Sequence, residues 1–199
     1  MINAAKIATV VLAAGHSTRM GSPKLALRWG KTTVIGKVVN TFWMAGIQEI
    51  VVVTGGAREM VEEALQGFPI RTVFNPRHSN ESMMLSLQTG LAALNQEIEA
   101  AFVALGDQPQ IEVEVVEKLV EVYQEKRPPL VLPSYHMRRG HPWLLDRSLW
   151  PEVLAASASS TLRFFLRDHA SLIHHLPIES QSILQDLDTP EDYRQFTQY

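Results

Sequence analysis

The stretch Lys6-Ile-Ala-Thr-Val-Val-Leu-Ala-Ala14 is a near-continuous apolar run that closes on Gly15. A strand buried on both faces of a parallel sheet reads this way, because neither face meets water and apolar–polar alternation is lost. The run is too short to cross a membrane and lacks the make-up of a signal peptide. The loop that follows, Gly15-His-Ser-Thr-Arg-Met-Gly-Ser-Pro-Lys24, sets glycines, Arg19 and Lys24 directly after the strand end. Glycine lets backbone N–H groups approach phosphate oxygens closely, and the two basic side chains add fixed positive charge, so the loop is a candidate phosphate cradle. An ordinary turn with solvated basic residues is the competing reading. Five residues separate Gly15 from Gly21, so the loop has neither the Walker spacing nor the dinucleotide G-x-G-x-x-G pattern.

Outward from this strand, apolar periods alternate between strand and helix. Val34, Ile35, Val38, Val39 and Phe42 recur at helical spacing, with Thr33 as N-cap and Gly46 as stop. Gln48 to Thr54 reads as a second strand, Ala57 to Gln66 as a helix ended by Gly67, and Ile70 to Phe74 as a third strand. Met84, Leu87, Leu91 and Leu94 form the next helical face, Ala100 to Leu105 the next strand, and Val113, Val116, Val120 and Tyr123 another helix before a strand at Leu130 to Leu132. Short strands at Trp143 to Leu145 and Leu172 to Pro177, around a helix near Leu162 to Arg167, complete the pattern. Such alternation predicts one α/β domain over residues 1–199, a Rossmann-like three-layer α/β/α arrangement with a mostly parallel sheet.

Composition agrees with one globular core: 199 residues, 46% hydrophobic and 20% charged. A formal net charge of -3 offers no basic field for nucleic acid, and nothing calls for a membrane. The absence of cysteine removes disulfides, thiolate nucleophiles and cysteine-held metals. A soluble cytoplasmic protein is expected.

Open sheets of this type bind ligands at the carboxyl ends of their strands. Besides the first loop, three segments there carry chemistry. Gly106-Asp107-Gln108-Pro109 ends a buried strand with a carboxylate suited to Mg²⁺, which prefers oxygen ligands and substrate phosphates; a turn-forming Asp is the alternative. Asn75-Pro76 leads to a helix whose Met84, Leu87 and Leu91 read as core, leaving Asn75, Ser82 and Ser86 as polar candidates. Arg138-Arg139-Gly140-His141-Pro142 follows a further strand and reads either as a solvated basic turn or as a site for an anion. Near the C-terminus, Asp188-Thr189-Pro190-Glu191-Asp192 has the look of a capped helix start.

The string Leu12-Ala-Ala-Gly-His-Ser-Thr-Arg-Met-Gly-Ser-Pro-Lys24 resembles the signature L-A-[AG]-G-x-S-x-R-M-G-x-x-K of the MobA-like NTP transferases, the molybdenum-cofactor nucleotidyltransferases. Gly106-Asp-Gln-Pro109 resembles that family's metal-site loop, and Asp186-Leu-Asp-Thr-Pro-Glu-Asp192 its C-terminal motif. The resemblance implies a nucleotide-diphospho-sugar transferase-like fold and a Mg²⁺-dependent transfer of a nucleoside monophosphate to a phosphorylated small molecule. It implies that Leu12, Ala13, Ala14, Gly15, Ser17, Arg19 and Lys24, with Asn75, Ser82 and Ser86, bind the nucleotide; Arg19, Lys24 and Asp107 act in catalysis. Asp107 would hold metal with either Asp186 or Asp188, and Arg139 and His141 would meet the acceptor. CTP is favoured over GTP, because Ala14 stands where guanylyl-transferring relatives carry glycine. Molybdopterin is the favoured acceptor, with a molybdenum hydroxylase as eventual partner. Ala158-Ser-Ser-Thr-Leu-Arg163 and Glu81-Ser82-Met83 depart from the family pattern where base or acceptor would be contacted. A sugar-phosphate nucleotidyltransferase and a non-catalytic cofactor-delivery chaperone are the rival readings.

Overall fold

The computed structural model describes residues 6–15, 24–80 and 82–197. Its centre is β1 (Ile7–Ala13), hydrogen-bonded in parallel to β4 (Glu49–Thr54) on one side and β6 (Ala100–Leu105) on the other. Ala8, Val10 and Val11 are wholly buried, which accounts for the unbroken apolar run. Ile7, Val11 and Ala13 enter one core with α1 (Val34–Met44) and α4 (Val113–Lys126), while Ala8 and Val10 enter a second core with α3 (Met83–Ala92) on the opposite face.

The sheet runs in the order β10 (Ile173–Pro177), β7 (Leu130–Tyr135), β9 (Trp143–Asp146), β6, β1, β4, β5 (Arg71–Phe74), and β8 (Arg138–Arg139) adds to β7. All of these pairings are parallel except those of β9, which lies antiparallel between β6 and β7, and that of the short β8. The expected three-layer, mostly parallel architecture is therefore present. Apart from it, β2 (Arg28–Trp29) and β3 (Thr32–Thr33) form a small antiparallel ribbon leading into α1. No helix among the described residues is long and apolar enough to cross a membrane.

The local signals work as the sequence suggests. The Thr33 hydroxyl accepts from the Gly36 N–H at 3.1 Å, and Gly46 adopts a left-handed φ of 87° just beyond the end of α1. The second helix, α2 (Arg58–Ala64), is shorter at both ends than the span Ala57 to Gln66, and β5 starts one residue after Ile70. The β2–β3 ribbon, β8 and α5 (Trp150–Ala155) were not legible. Two-residue strands carry no measurable period, and α5 is a six-residue helix with proline in its first turn. After it come α6 (Leu162–Asp168) and, at the end of the described chain, α7 (Pro190–Thr197).

Gly90 explains how α3 lies so close to the sheet. A Cβ built there would run into Val10 Cγ1 and stand 3.0 Å from Val53 Cγ2, so the helix sits on β1 and β4 with no room for a methyl group. Gly90→Ala should therefore destabilise the protein by about 1–3 kcal/mol through overpacking, despite the better helix propensity of alanine. Urea unfolding of the two proteins checks this; equal midpoints would show that α3 can ride outward without cost.

Candidate active site

Because β1, β4, β5, β6 and β7 run in one direction, their carboxyl ends share one edge of the sheet. At the centre of that edge the Gly106 N–H donates to the Leu12 carbonyl at 3.0 Å, closing the turn after β6 onto the end of β1. A Cβ on Gly106 would lie 3.1 Å from both Leu12 O and Ile35 Cδ1, so only glycine allows this approach without displacement. The next residue, Asp107, is thereby fixed at the rim.

Lys24 reaches the same point from the opposite direction. Its neighbour Leu25 is buried in the core, and the Lys24 ammonium donates to Asp107 Oδ2 at 2.6 Å and to Asp188 Oδ1 at 3.1 Å. Asp188 is brought in by its neighbour Leu187, which is wholly buried and donates its N–H to the Asp107 carbonyl at 3.1 Å. Burial works against the charged form of Lys24, but the two carboxylates outweigh it and hold the lysine pKa above its usual value. Two carboxylate oxygens thus converge on one cationic centre.

Asp186, the other candidate in the C-terminal motif, is held instead by Gln108, whose Nε2 donates to Asp186 Oδ1 at 2.7 Å. Burial first, and then the neighbouring Asp107 and Asp188 charges, raise its pKa, against the Gln108 hydrogen bond and Lys24. Asp192 is structural, as the helix-start reading has it. Its Oδ2 accepts from the Thr189 N–H at 2.8 Å and the Asp188 N–H at 3.1 Å, while its own N–H donates to Thr189 Oγ1. The hydrogen bonds of Thr189, foremost, hold its carboxyl below the usual range.

On the side of β4 and β5 lie the candidates for the base. Asn75 is wholly buried, with its Nδ2 donating to Ser86 Oγ at 3.1 Å and its Oδ1 accepting from the Arg77 N–H at 2.9 Å. Ser86 is also buried, and Ser82 caps α3. Asn75 and Ser86 therefore lock the end of β5 to α3. Ala14 is 8% exposed, and the backbone there is pressed against Gly55, whose Cβ position lies 2.8 Å from Ala14 Cα. Leu12, Ala13 and Gly15 stand at the end of β1 beside it. Ser17 and Arg19 lie outside the described residues.

On the far side, β8 and the turn Gly140-His141-Pro142 lead into β9. Arg139 is exposed on β8, and its charge contributes, after burial, to lowering the His175 pKa. His141 is turned inward: its ring stacks on Trp143 at 4.6 Å between centroids, and its buried Nε2 has no hydrogen-bond partner among the described residues. Gly140, packed so that a Cβ would come within 2.7 Å of Ile183 Cβ, ties this turn to the C-terminal segment. Neither this contact nor the Gln108–Asp186 bridge had a sequence signal beyond the residue types involved.

Among the described residues no three His, Asp or Glu side chains surround a common point. The pair Asp107 and Asp188 is what a cation could share, with its remaining ligands drawn from elsewhere.

An open, mostly parallel sheet with its polar side chains gathered at the strand ends is the architecture of nucleotidyltransferases with the nucleotide-diphospho-sugar transferase fold. The chain belongs to the MobA-like NTP transferase family, whose domain it matches over residues 9–173. It is 31% identical over 191 residues to a nicotine blue oxidoreductase from Paenarthrobacter nicotinovorans, covering 92% of each chain. It is also 25% identical over 187 residues to the molybdenum cofactor cytidylyltransferase of Escherichia coli K12, again covering 92% of each. The crystal structure of Rv0371c from Mycobacterium tuberculosis H37Rv superposes with a TM-score of 0.85 at 26% identity over 98% of both chains. A second structure of Rv0371c, in complex with manganese, gives a TM-score of 0.76 at 26% identity over 96% of this chain and 98% of that one.

Burial lowers the His141 pKa to about 4, so the native ring stays neutral where an unfolded histidine, near 6.5, takes up a proton. Protons then bind preferentially to the unfolded chain, and stability falls as pH drops from about 6.5 toward about 4. Between pH 7 and pH 5 the wild type should lose on the order of 1–2 kcal/mol more than His141→Gln. Urea titrations at both pH values measure the difference; parallel losses would place the imidazole in contact with water.

Proposed function

We propose that this protein is a magnesium-dependent nucleotidyltransferase of the cytoplasm. It transfers CMP from CTP to the phosphate of a small-molecule acceptor, molybdopterin in first place, and releases pyrophosphate. The observation that carries this reading is the convergence of Asp107 and Asp188 on a single cation at the carboxyl edge of the sheet. Oxygen ligands in this number suit Mg²⁺, which keeps part of its shell for substrate phosphates. Bound there, the metal would neutralise charge on the triphosphate. The manganese complex of Rv0371c, at 26% identity, supports a divalent ion in this fold.

The chain's own part is positioning. The end of β1 and the loop beyond it cradle the triphosphate, and Lys24 supplies a mobile positive charge beside it. An acceptor phosphate oxygen attacks the α-phosphorus as the bond to the pyrophosphate oxygen breaks, with no protein nucleophile needed. Such transfers rest largely on orientation and charge. The product would pass to a molybdenum hydroxylase. A 25% identity to a molybdenum cofactor cytidylyltransferase along 92% of both chains supports the choice of nucleotide and acceptor. The relative named as an oxidoreductase makes the reaction itself the point to test.

The decisive experiment is pyrophosphate release with a panel of NTPs and phosphorylated acceptors. Release with molybdopterin supports the reading, release only with sugar phosphates moves the acceptor class, and tight binding without release makes the protein a carrier. Asp107→Ala should cut turnover on the order of 10²-fold or more while leaving thermal unfolding near that of the wild type, since it removes a charge at the rim and no core packing. Near-normal turnover in the folded variant would remove Asp107 from the reaction.

Nucleotide choice is expected to depend on Ala14. A methyl group beside a flat base disfavours the larger purine, and mismatches of this kind are worth roughly 1–3 kcal/mol. CTP should therefore exceed GTP in kcat/KM by about tenfold or more, and Ala14→Gly should narrow the gap. Equal use of the two nucleotides by the wild type would show that Ala14 does not select the base.

A further inference from the structure

Lys24 occupies the position that the proposed function assigns to a divalent ion. Its side chain is 14% exposed, more enclosed than that of either partner, since those of Asp107 and Asp188 are 23% and 43% exposed. Both contacts are charge-assisted hydrogen bonds, at 2.6 and 3.1 Å. An incoming dication would meet a fixed positive charge at contact distance, and two carboxylates already neutralised in part by it. Lysine differs from a metal in one respect: it is a point charge on a flexible four-carbon stem, anchored here by the buried Leu25. A triphosphate arriving at the end of β1 offers that ammonium a more highly charged partner. The exchange keeps every charge paired, because lysine moves to phosphate as metal takes the carboxylates. Neither half is balanced alone. Metal by itself must expel the lysine into water, and triphosphate by itself leaves two carboxylates facing phosphate oxygens.

We propose that Lys24 is a built-in cation that closes the Asp107–Asp188 position to divalent metal until a triphosphate draws it away, so that metal and nucleotide enter as a coupled pair. This rests on the nucleotidyltransferase reading for the identity of the second ligand, but not for the test. The probe is Mn²⁺ alone, titrated into nucleotide-free protein and followed by the loss of the free-ion paramagnetic resonance signal. The wild type and Lys24→Arg, which keeps the charge, should bind Mn²⁺ weakly. Lys24→Met should bind it about 5- to 150-fold more tightly, the usual range for coupling between two ligands. Lys24→Gln, which can still hydrogen-bond to both carboxylates and so guards against misfolding, should show the same gain. Adding Asp107→Asn to either neutral variant should abolish the gain. Unchanged or weaker Mn²⁺ binding in the folded Lys24→Met and Lys24→Gln variants would overturn the proposal, whatever the pyrophosphate assay gives. Failure of pyrophosphate release with the Mn²⁺ gain intact would instead leave the closure of the metal position by Lys24 standing and remove the reaction assigned to the site.

Discussion

The position of β1, paired on both edges and buried on both faces, constrains the rest of the molecule. A strand with no side open to water carries apolar residues at nearly every position, Thr9 being the exception here, and must be covered by helices above and below. The two cores on either side of β1, with α1 and α4 in one and α3 in the other, are the consequence. Parallel pairing on both sides then brings the ends of three neighbouring strands, β4, β1 and β6, to one edge. Polar chemistry can gather only there, where the backbone leaves the sheet and reaches water.

The site is assembled by the core without being part of it. Each charged group in the cluster is placed by a buried apolar neighbour: Lys24 by Leu25, Asp188 by Leu187, and Asp107 by the close fit of Gly106 against Leu12 and Ile35. The ammonium can sit 2.6 and 3.1 Å from two carboxylates because their opposite charges offset its desolvation; removing it would leave two like charges converging on one point. The C-terminal segment returns to the sheet through Ile183 against Gly140 and Leu187 against Asp107, which places the last motif of the chain beside the first. Family membership fixes this frame. The oxidoreductase and the cytidylyltransferase that resemble the chain along 92% of its length show that one frame carries different reactions.

The sequence by itself determined the fold class, the central strand, the cap at Thr33, and the loops at which chemistry would gather. Each of these is a local property, of apolar period, of capping side chains or of glycine, and is written into neighbouring residues. It also singled out Lys24, Asp107 and the pair Asp186 and Asp188 by motif. Tertiary structure decided what distance along the chain conceals. It set β9 antiparallel in a parallel sheet, turned His141 inward against Trp143, and buried Asn75 and Ser86 against each other. It brought Asp188 onto Lys24 while Gln108 took Asp186. The stack of His141 on Trp143 apart, these outcomes depend on contacts between segments 11 to 164 residues apart, where packing and desolvation choose among side chains that a motif treats alike.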